Sequence, residues 1–266
     1  MKLDFRSSLS RLEVMSELQK AHWFYLDHLR QELGLSAVGE FDFFRSALYH
    51  LAMRGVDPFY DPQKYVGEWE HWTRYCMVGG AALIRLAPSG QWEVLMVKCY
   101  KTHLAELSST WAGGKADPTD ATLWETCVRE VLEEIGLDLS ADRHKVVAVI
   151  ENRRVFNAVI PMNYNDPRLH NLTMKAVEIH EIVWSPISLN IDTVKVPRRV
   201  QGHVADDGIM REKANPTELR MPADFQNSYR MLQDLHRQGV FEHPLPNVDE
   251  VLNQDPKEWM RQRERS

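Results

Sequence analysis

Three glutamates within five positions are the residues of this chain whose type and spacing most clearly indicate chemistry. Glu130, Glu133 and Glu134 stand at i, i+3 and i+4, so their side chains share one face if the segment is a helix. Like charges at this spacing repel, at a cost of about 0.2–0.5 kcal/mol per pair. Hard divalent cations bind carboxylate oxygens. The spacing therefore predicts a metal-binding helix face, and the alternative is an ordinary surface helix with an acidic face.

The residues around the glutamates predict how that helix begins and ends. A glycine loop, Gly113-Gly114-Lys115, precedes it, and Thr122-x-x-Glu125 has the form of a capping box. Gly136 stands where a left-handed C-terminal cap is expected. Apolar residues recur every four positions and can face a sheet; they are Leu123, Cys127, Val131 and Ile135.

This glycine loop, helix and glutamate cluster resembles the Nudix box, whose usual form is G-x5-E-x7-R-E-U-x-E-E-x-G-U, with U aliphatic. The stretch from Arg129 to Leu137 matches the second half fully. Counted from Gly114, the first half reads G-x5-D-x8-R-E, so Asp120 replaces a glutamate that braces the loop, and one residue is added.

The resemblance implies a site for Mg²⁺ or Mn²⁺. The metal ligands would be Glu130, Glu133 and Glu134, assisted by the backbone near Gly114, and Arg129 would be structural, tying the helix to the loop. Glu134 would thereby take part in catalysis. Lys115 is a candidate phosphate contact, and the alternative for Lys115 is a solvated loop lysine.

Composition limits the possible classes of protein. The chain has 266 residues, of which 44% are apolar and 26% charged, as in ordinary globular proteins. No apolar run approaches the roughly 20 residues that span a bilayer, so no membrane association is expected. Three cysteines without metal-ligand spacing fit a reducing compartment, and we expect a cytoplasmic protein. The net charge of −6 supplies no general basic surface for nucleic acid.

The pattern along the chain changes near residue 75, from helical to strand-like. We predict an α+β fold, with an all-helical domain over 1–75, a Nudix domain forming an α/β/α sandwich with a mixed sheet over 76–240, and a polar tail over 241–266. The last helix of the Nudix part is expected over 224–238, with Phe225, Leu232 and Leu235 inward.

A second candidate site lies in the helical part, where Trp23 and Asp27 are one turn apart. Trp23 lies off the apolar stripe, on a flank with Gln19, Asp27 and Arg30. An aromatic ring beside a carboxylate suits stacking on a planar, positively charged base whose edge donates hydrogen bonds. The alternative is that Trp23 simply packs within the protein.

The run Ala21-His22-Trp23-Phe24-Tyr25-Leu26-Asp27 resembles the helical domain of the catalytic subunit of the eukaryotic mRNA decapping enzyme. In that family the tryptophan and aspartate hold the cap guanine, which implies cap binding by Trp23 and Asp27. The order of helical domain, Nudix domain and late helix is also similar. The family often works with an activator subunit on the helical domain, so capped RNA and such a subunit are the implied partners.

The same resemblance implies a general base and an RNA path. Val177 to Trp184 has the form of the family stretch that carries the base, which implies Glu178, with Glu181 as the alternative. The late helix would provide an RNA path, in which Tyr229 stacks on a base. Basic residues that could contact phosphates are Arg198, Arg199, Lys213, Arg220 and Arg237, although acidic residues alternate with them.

These expectations combine into one leading function and two rivals. The leading hypothesis is a metal-dependent hydrolase that removes the 5′ cap of mRNA, releasing 7-methylguanosine diphosphate and 5′-monophosphate RNA. The first rival is a Nudix pyrophosphohydrolase for small nucleotides or 5′-triphosphate RNA, which would not need Trp23 and Asp27. The second is a non-catalytic Nudix protein that binds RNA or a protein partner.

Overall fold

The computed structural model describes residues 8–36, 38–55, 61–99, 108–174, 179–197 and 219–264. The chain divides into two compact units, Met1–Cys76 with Asp117–Thr119, and Met77–Ala116 with Asp120–Ser266. Among the helices of the described ranges, none combines the length and the apolar character that crossing a bilayer requires.

The described part of the first unit is helical. Its elements are α1 (Ser8–Phe24), a π-helical turn (Tyr25–Leu29), α2 (Arg30–Leu33), α3 (Glu40–Met53) and α4 (Pro62–Tyr75). Asp61 caps α4 by accepting hydrogen bonds from the N–H groups of Gln63 and Lys64, and proline at the first helical position needs no N–H partner. The helices share one apolar core, formed by Leu12, Met15, Phe44, Leu48, Tyr65 and Trp69.

The second unit is built on a mixed sheet. Its strands are β1 (Val78–Leu86), β2 (Trp92–Cys99), β3 (Ser108–Thr110), β4 (Ala112–Lys115), β5 (Ala148–Asn152), β6 (Val155–Pro161) and β7 (Ile179–Pro186). The main order is β3-β2-β1-β6-β5, with β4 on β1 and β7 on β2. The β1–β6 pair is parallel and the other pairs are antiparallel.

Strand β1 changes partner along its length, and this change places the glycine loop. Residues Ile84–Leu86 of β1 pair with β2, whereas residues Val78–Ala81 pair with β4. The short strands β3 and β4 therefore fill the space where β1 and β2 separate. As a result, the Gly113-Gly114-Lys115 run is part of β4 and is held by the sheet.

Helices cover both faces of the sheet. Helix α5 (Leu123–Ile135) packs on one face in a core with Leu83, Leu95 and Phe156. Helix α6 (Ala223–Arg237) packs on the other face, where Leu232 lies in a second core. The predicted α+β class, with a helical N-terminal region followed by a mixed sheet between helices, is confirmed.

The expected polar tail after residue 240 is wrong as a description of packing. Two further helices follow, α7 (Val248–Leu252) and α8 (Pro256–Glu264). Leu252 and Trp259 are 0% and 2% exposed and belong to the same core as α5. A few apolar residues separated by charged ones are enough to anchor two short helices. Their spacing shows no hydrophobic periodicity from which the helices could be predicted.

Candidate active site

Helix α5 is fixed at both ends by local interactions that its sequence specifies. The Thr122 hydroxyl accepts a hydrogen bond from the N–H of Glu125 at 3.1 Å, and the Glu125 carboxylate accepts one from the N–H of Ala121 at 2.7 Å. Gly136 ends the helix with φ 73°, a conformation that glycine adopts without strain. The apolar stripe from Leu123 to Ile135 is buried against the sheet, so the acidic residues occupy the remaining faces.

Glu130 lies directly against the glycine loop. A Cβ atom on Gly114 would stand 2.2 Å from Glu130 Oε2, so only glycine at this position leaves room for the carboxylate. Glu130 is 8% exposed. Burial raises the pKa of Glu130 to about 8, with the charges of Glu133 and Glu134 adding to the effect and Arg129 opposing it. The ionised form of this carboxylate therefore requires more positive charge nearby.

Glu134 and Glu133 complete the acidic face. The Glu134 carboxylate accepts a hydrogen bond from the backbone N–H of Gly113 at 2.9 Å, which joins the last turns of α5 to β4. Glu133 is the most exposed of the three acids, and its Oε2 lies 3.1 Å from Arg129 Nη1. Glu130 and Glu134 thus contact the glycine run from one helix, whereas Glu133 contacts Arg129.

Arg129 connects this face to the loop before α5. Its guanidinium donates to the Lys115 carbonyl at 2.9 Å, to Asp120 at 2.8 and 3.1 Å, and to Glu130 at 2.7 Å. Asp120 also accepts a hydrogen bond from the Thr126 hydroxyl at 2.9 Å. The shorter aspartate at the altered box position therefore braces the loop through both Arg129 and Thr126.

The acidic side chains fit a hard divalent cation by their chemistry. Carboxylate oxygens suit Mg²⁺ and Mn²⁺, and two of these carboxylates, those of Glu130 and Glu134, lie against the backbone of the glycine run. Within the described residues, no three histidine, cysteine or acidic side chains are gathered for a metal as they stand. Arg129 instead joins two of the acids, because its Nη1 binds one oxygen each of Glu130 and Glu133. Cation binding would require Glu133 to turn away from Arg129.

Other predicted residues of this unit are placed as follows. The Lys115 side chain is exposed, so a phosphate contact by this residue stays a prediction. Glu178 lies outside the described residues. Glu181, the alternative base, lies on β7 opposite Lys98 of β2, with its Oε2 2.8 Å from Lys98 Nζ. Lys98 is 4% exposed, and sequence reasoning missed this buried partner because the two residues are far apart in the chain.

The predicted base-stacking role of Tyr229 is wrong. Tyr229 is 0% exposed, lies in the core beneath α6, and its hydroxyl donates to the Pro186 carbonyl at 2.8 Å. Its ring stacks on Trp111, with centroids 6.4 Å apart. The residue falls on the inward stripe of α6, and that helical position decided its burial.

Only some of the basic residues predicted to contact RNA phosphates lie within the described residues. Arg198, Arg199 and Lys213 lie outside the described residues. Arg237 forms an ion pair with Asp234, and Arg230 pairs with Asp192 at 2.9 Å. Arg220 lies beside β3, where its carbonyl accepts from the N–H of Ser109 at 2.7 Å.

The first unit contains the backbone of the second candidate site. Trp23 is near the end of α1 and Asp27 is in the π-helical turn, but the side chains of both lie outside the described residues. Two other residues of the motif are structural. The His22 ring is within 2.7 Å of the Val38 carbonyl, and the Tyr25 hydroxyl donates to the Ser36 carbonyl. These contacts fix the helix that carries Trp23 and Asp27.

Comparison with known proteins agrees with the geometry of the second unit. Residues 77–184 match the family model of the NUDIX domain. This segment of the chain is therefore similar to a NUDIX domain. The match runs from β1 to β7 and contains α5 with its three glutamates.

Solved structures similar to this chain include the following three proteins. RenU, a Nudix hydrolase from M. smegmatis, has a TM-score of 0.41 and 14% identity, over 65% of this chain and 90% of its own. The Ap4A hydrolase of C. elegans has a TM-score of 0.30 and 18% identity, over 42% and 80%. A bifunctional NMN adenylyltransferase/ADP ribose pyrophosphatase from Francisella tularensis, complexed with AMP and a Mn ion, has a TM-score of 0.38 and 15% identity, over 81% and 51%.

Proposed function

We propose that this chain is a metal-dependent Nudix hydrolase that cleaves a phosphate–phosphate linkage. One observation supports this most directly: in the NUDIX domain, Glu130 lies against Gly114 and Glu134 accepts from the N–H of Gly113. This arrangement retains three mutually repelling acids on one helix and places two of them against the backbone of β4, which a purely structural helix would not need.

The proposed reaction assigns a task to each residue. Glu130, Glu133 and Glu134 hold Mg²⁺ or Mn²⁺, which when bound neutralises phosphate charge and lowers the pKa of water. Arg129 keeps the helix aligned with the loop through Lys115 and Asp120. The Lys115 side chain contacts a phosphate oxygen.

A base outside the Nudix helix removes the proton of the attacking water. Glu178 is the proposed base, by its position in the stretch that resembles the decapping family. Glu181 is the alternative, and the hydrogen bond that it accepts from Lys98 orients its carboxylate. The two assignments separate experimentally, because Lys98→Met would affect only the second.

We further propose that the substrate is the 5′ cap of mRNA and that the products are 7-methylguanosine diphosphate and 5′-monophosphate RNA. The support is the motif from Ala21 to Asp27 on a helix of the first unit, in which His22 and Tyr25 serve the local structure. Trp23 would stack on the methylated guanine and Asp27 would accept hydrogen bonds from its edge. Capped RNA is therefore the proposed partner.

A protein partner on the first unit is also proposed. Leu33 and Met53 are 61% and 69% exposed and could contact such a partner. A decapping activator subunit is the partner that the motif implies.

The contacts made by the basic and aromatic side chains of α6 favour a second candidate function. Arg230 and Arg237 are each paired with an acid, and Tyr229 is buried, so this helix presents little to an RNA chain. A pyrophosphohydrolase for small nucleotides or 5′-triphosphate RNA would need no such surface.

One assay separates these functions. The full chain is given cap-labelled RNA, free cap dinucleotide and 5′-triphosphate RNA, with and without Mn²⁺. Release of labelled 7-methylguanosine diphosphate from capped RNA alone supports decapping, whereas equal turnover of all three substrates supports the second candidate. No metal-dependent turnover of any of them would contradict both.

The variant Trp23→Ala tests the cap site directly, with Phe24→Ala as the matched control because Phe24 is a neighbouring exposed aromatic residue. We expect Trp23→Ala to weaken turnover of capped RNA and to leave that of triphosphate RNA unchanged. An equal loss from both variants, or none from Trp23→Ala, would show that Trp23 does not bind the cap.

A further inference from the structure

The C-terminal helices contact the first residue of the proposed metal-binding helix. The N–H of Leu123 donates to the carbonyl of Gln254 at 2.9 Å. The first N–H groups of a helix have no partner within the helix, so this bond satisfies one of them from outside. Gln254 lies between α7 and α8, about 130 residues further along the chain.

The segment that carries Gln254 is firmly anchored to the second unit. Trp259 of α8 is 2% exposed, and its indole N–H donates to Glu151 at 2.7 Å. Arg263 also binds Glu151, at 2.7 Å, and its guanidinium lies 4.3 Å from the centre of the Trp259 ring. Leu123 itself belongs to the same core as Trp259. A shift of α8 would therefore move the start of α5.

A second attachment holds α7. Arg143 donates to the Asp249 carboxylate at 3.1 Å and to the Asn253 side chain at 2.8 Å. These residues flank the turn that presents the Gln254 carbonyl. The turn is thus held from one side by Arg143 and from the other by Trp259.

The acids of α5 must be placed precisely if they are to bind a metal ion. Glu130 has no spare room against Gly114, and Glu134 is bonded to Gly113 N–H at 2.9 Å. Ligand sets work only when they are held within about 0.5 Å of the required geometry. A rigid helix transmits displacement of its first turn to the acids two turns later.

We propose that the α7–α8 segment, Val248–Glu264, is a positioning element that sets the placement of α5 and thereby the affinity of its acids for divalent metal. This inference rests on the proposed metal-dependent function. It assigns Trp259 and Arg143 as positioning residues, outside the chain segment that matches the NUDIX domain.

The test measures Mn²⁺ affinity of the full chain by electron paramagnetic resonance of the free ion, together with the melting temperature of each variant. Trp259→Ala should weaken Mn²⁺ binding about tenfold, in the range found for residues that support metal ligands. Arg143→Ala, at a position where the side chain is 31% exposed, should cause a smaller loss in the same direction and keep the protein folded.

Leu232→Ala is the matched control, because Leu232 is a fully buried residue of α6 on the opposite face of the sheet. It should lower the melting temperature and leave Mn²⁺ affinity unchanged. Equal weakening by Leu232→Ala, or unchanged affinity in Trp259→Ala and Arg143→Ala, would overturn this inference alone. Failure of the unmodified chain to bind Mn²⁺ would overturn the proposed function and the inference together.

Discussion

Helices α5 and α6 cover opposite faces of one sheet, and they use their most conspicuous residues in opposite ways. On α5, the acids lie outside the apolar stripe and bind the glycine loop, as Glu134 does through Gly113. On α6, the aromatic Tyr229 falls on the apolar stripe and is part of the core. The comparison shows that an aromatic residue on the apolar stripe of an amphipathic helix is a poor indicator of function, whereas acids off the stripe stay available for the proposed one.

The largest expected effect is on α5. Glu134→Gln removes a charge that the proposed metal requires, and a loss of several kcal/mol of transition-state stabilisation corresponds to roughly a thousandfold fall in kcat. The amide oxygen can still accept from Gly113, so the melting temperature should change little. Glu125→Gln is the control, because Glu125 caps the same helix at Ala121. If the kcat of Glu134→Gln stayed within tenfold of that of the unmodified chain, Glu134 would have no catalytic role.

The second prediction concerns α6. Tyr229→Ala should lower the free energy of unfolding by about 3–5 kcal/mol, as for other large aromatic residues removed from a core. Urea unfolding measures this, with Arg230→Ala as the control, since its exposed pair with Asp192 contributes at most about 1 kcal/mol. A stable Tyr229→Ala variant that has lost only RNA affinity would restore the base-stacking role.

A smaller effect is expected where α5 meets the loop. Asp120→Ala removes the partner of both Arg129 and Thr126 and should lower kcat about 10- to 100-fold, the usual cost of losing support for metal ligands. Asp120→Asn keeps an oxygen for the Thr126 hydroxyl and should lose less. Steady-state kinetics at saturating Mn²⁺ measures both, and equal activity of all three proteins would show that the loop needs no brace.

The smallest expected effect is a loss of folding stability at alkaline pH. Burial raises the pKa of Tyr229 to about 12, above the ordinary value of about 10. The neutral form is favoured in the folded state, so its stabilisation is complete below pH 10 and is lost as the pH rises towards 12. Two pKa units correspond to at most about 2.7 kcal/mol. Tyr229→Phe should therefore reduce the loss of stability between pH 9 and 11; an unchanged slope would contradict the assignment.

The parts of this fold that sequence predicts are those with strong local signals. The position and ends of helix α5 are predictable because each capping residue, Thr122 and Glu125 at the start and Gly136 at the end, acts on a backbone group a few residues away. The sequence also predicts that Glu130, Glu133 and Glu134 lie on one helix, as they do, whereas their metal-binding role stays a prediction. Fold class followed from the change from helical to alternating patterns near residue 75.

The parts that sequence does not predict depend on partners distant in the chain. Strands β3 and β4 have three and four residues, too few to show a period, and are stabilised by pairing with β2 and β1. The Lys98–Glu181 pair and the bond from Leu123 to Gln254 join residues whose proximity exists only after folding. The base-stacking prediction for Tyr229 is wrong because it rests on the resemblance to the decapping family and not on the position of Tyr229 on the apolar stripe of α6.

Arg129 gives this chain a built-in counterion. By standing between Glu130 and Glu133, the guanidinium lets α5 form before any cation arrives. Small zinc domains differ, because they remain unfolded until their ion binds. Chelating agents should therefore abolish the proposed hydrolase activity without unfolding the protein, and the activity should return when manganese is restored.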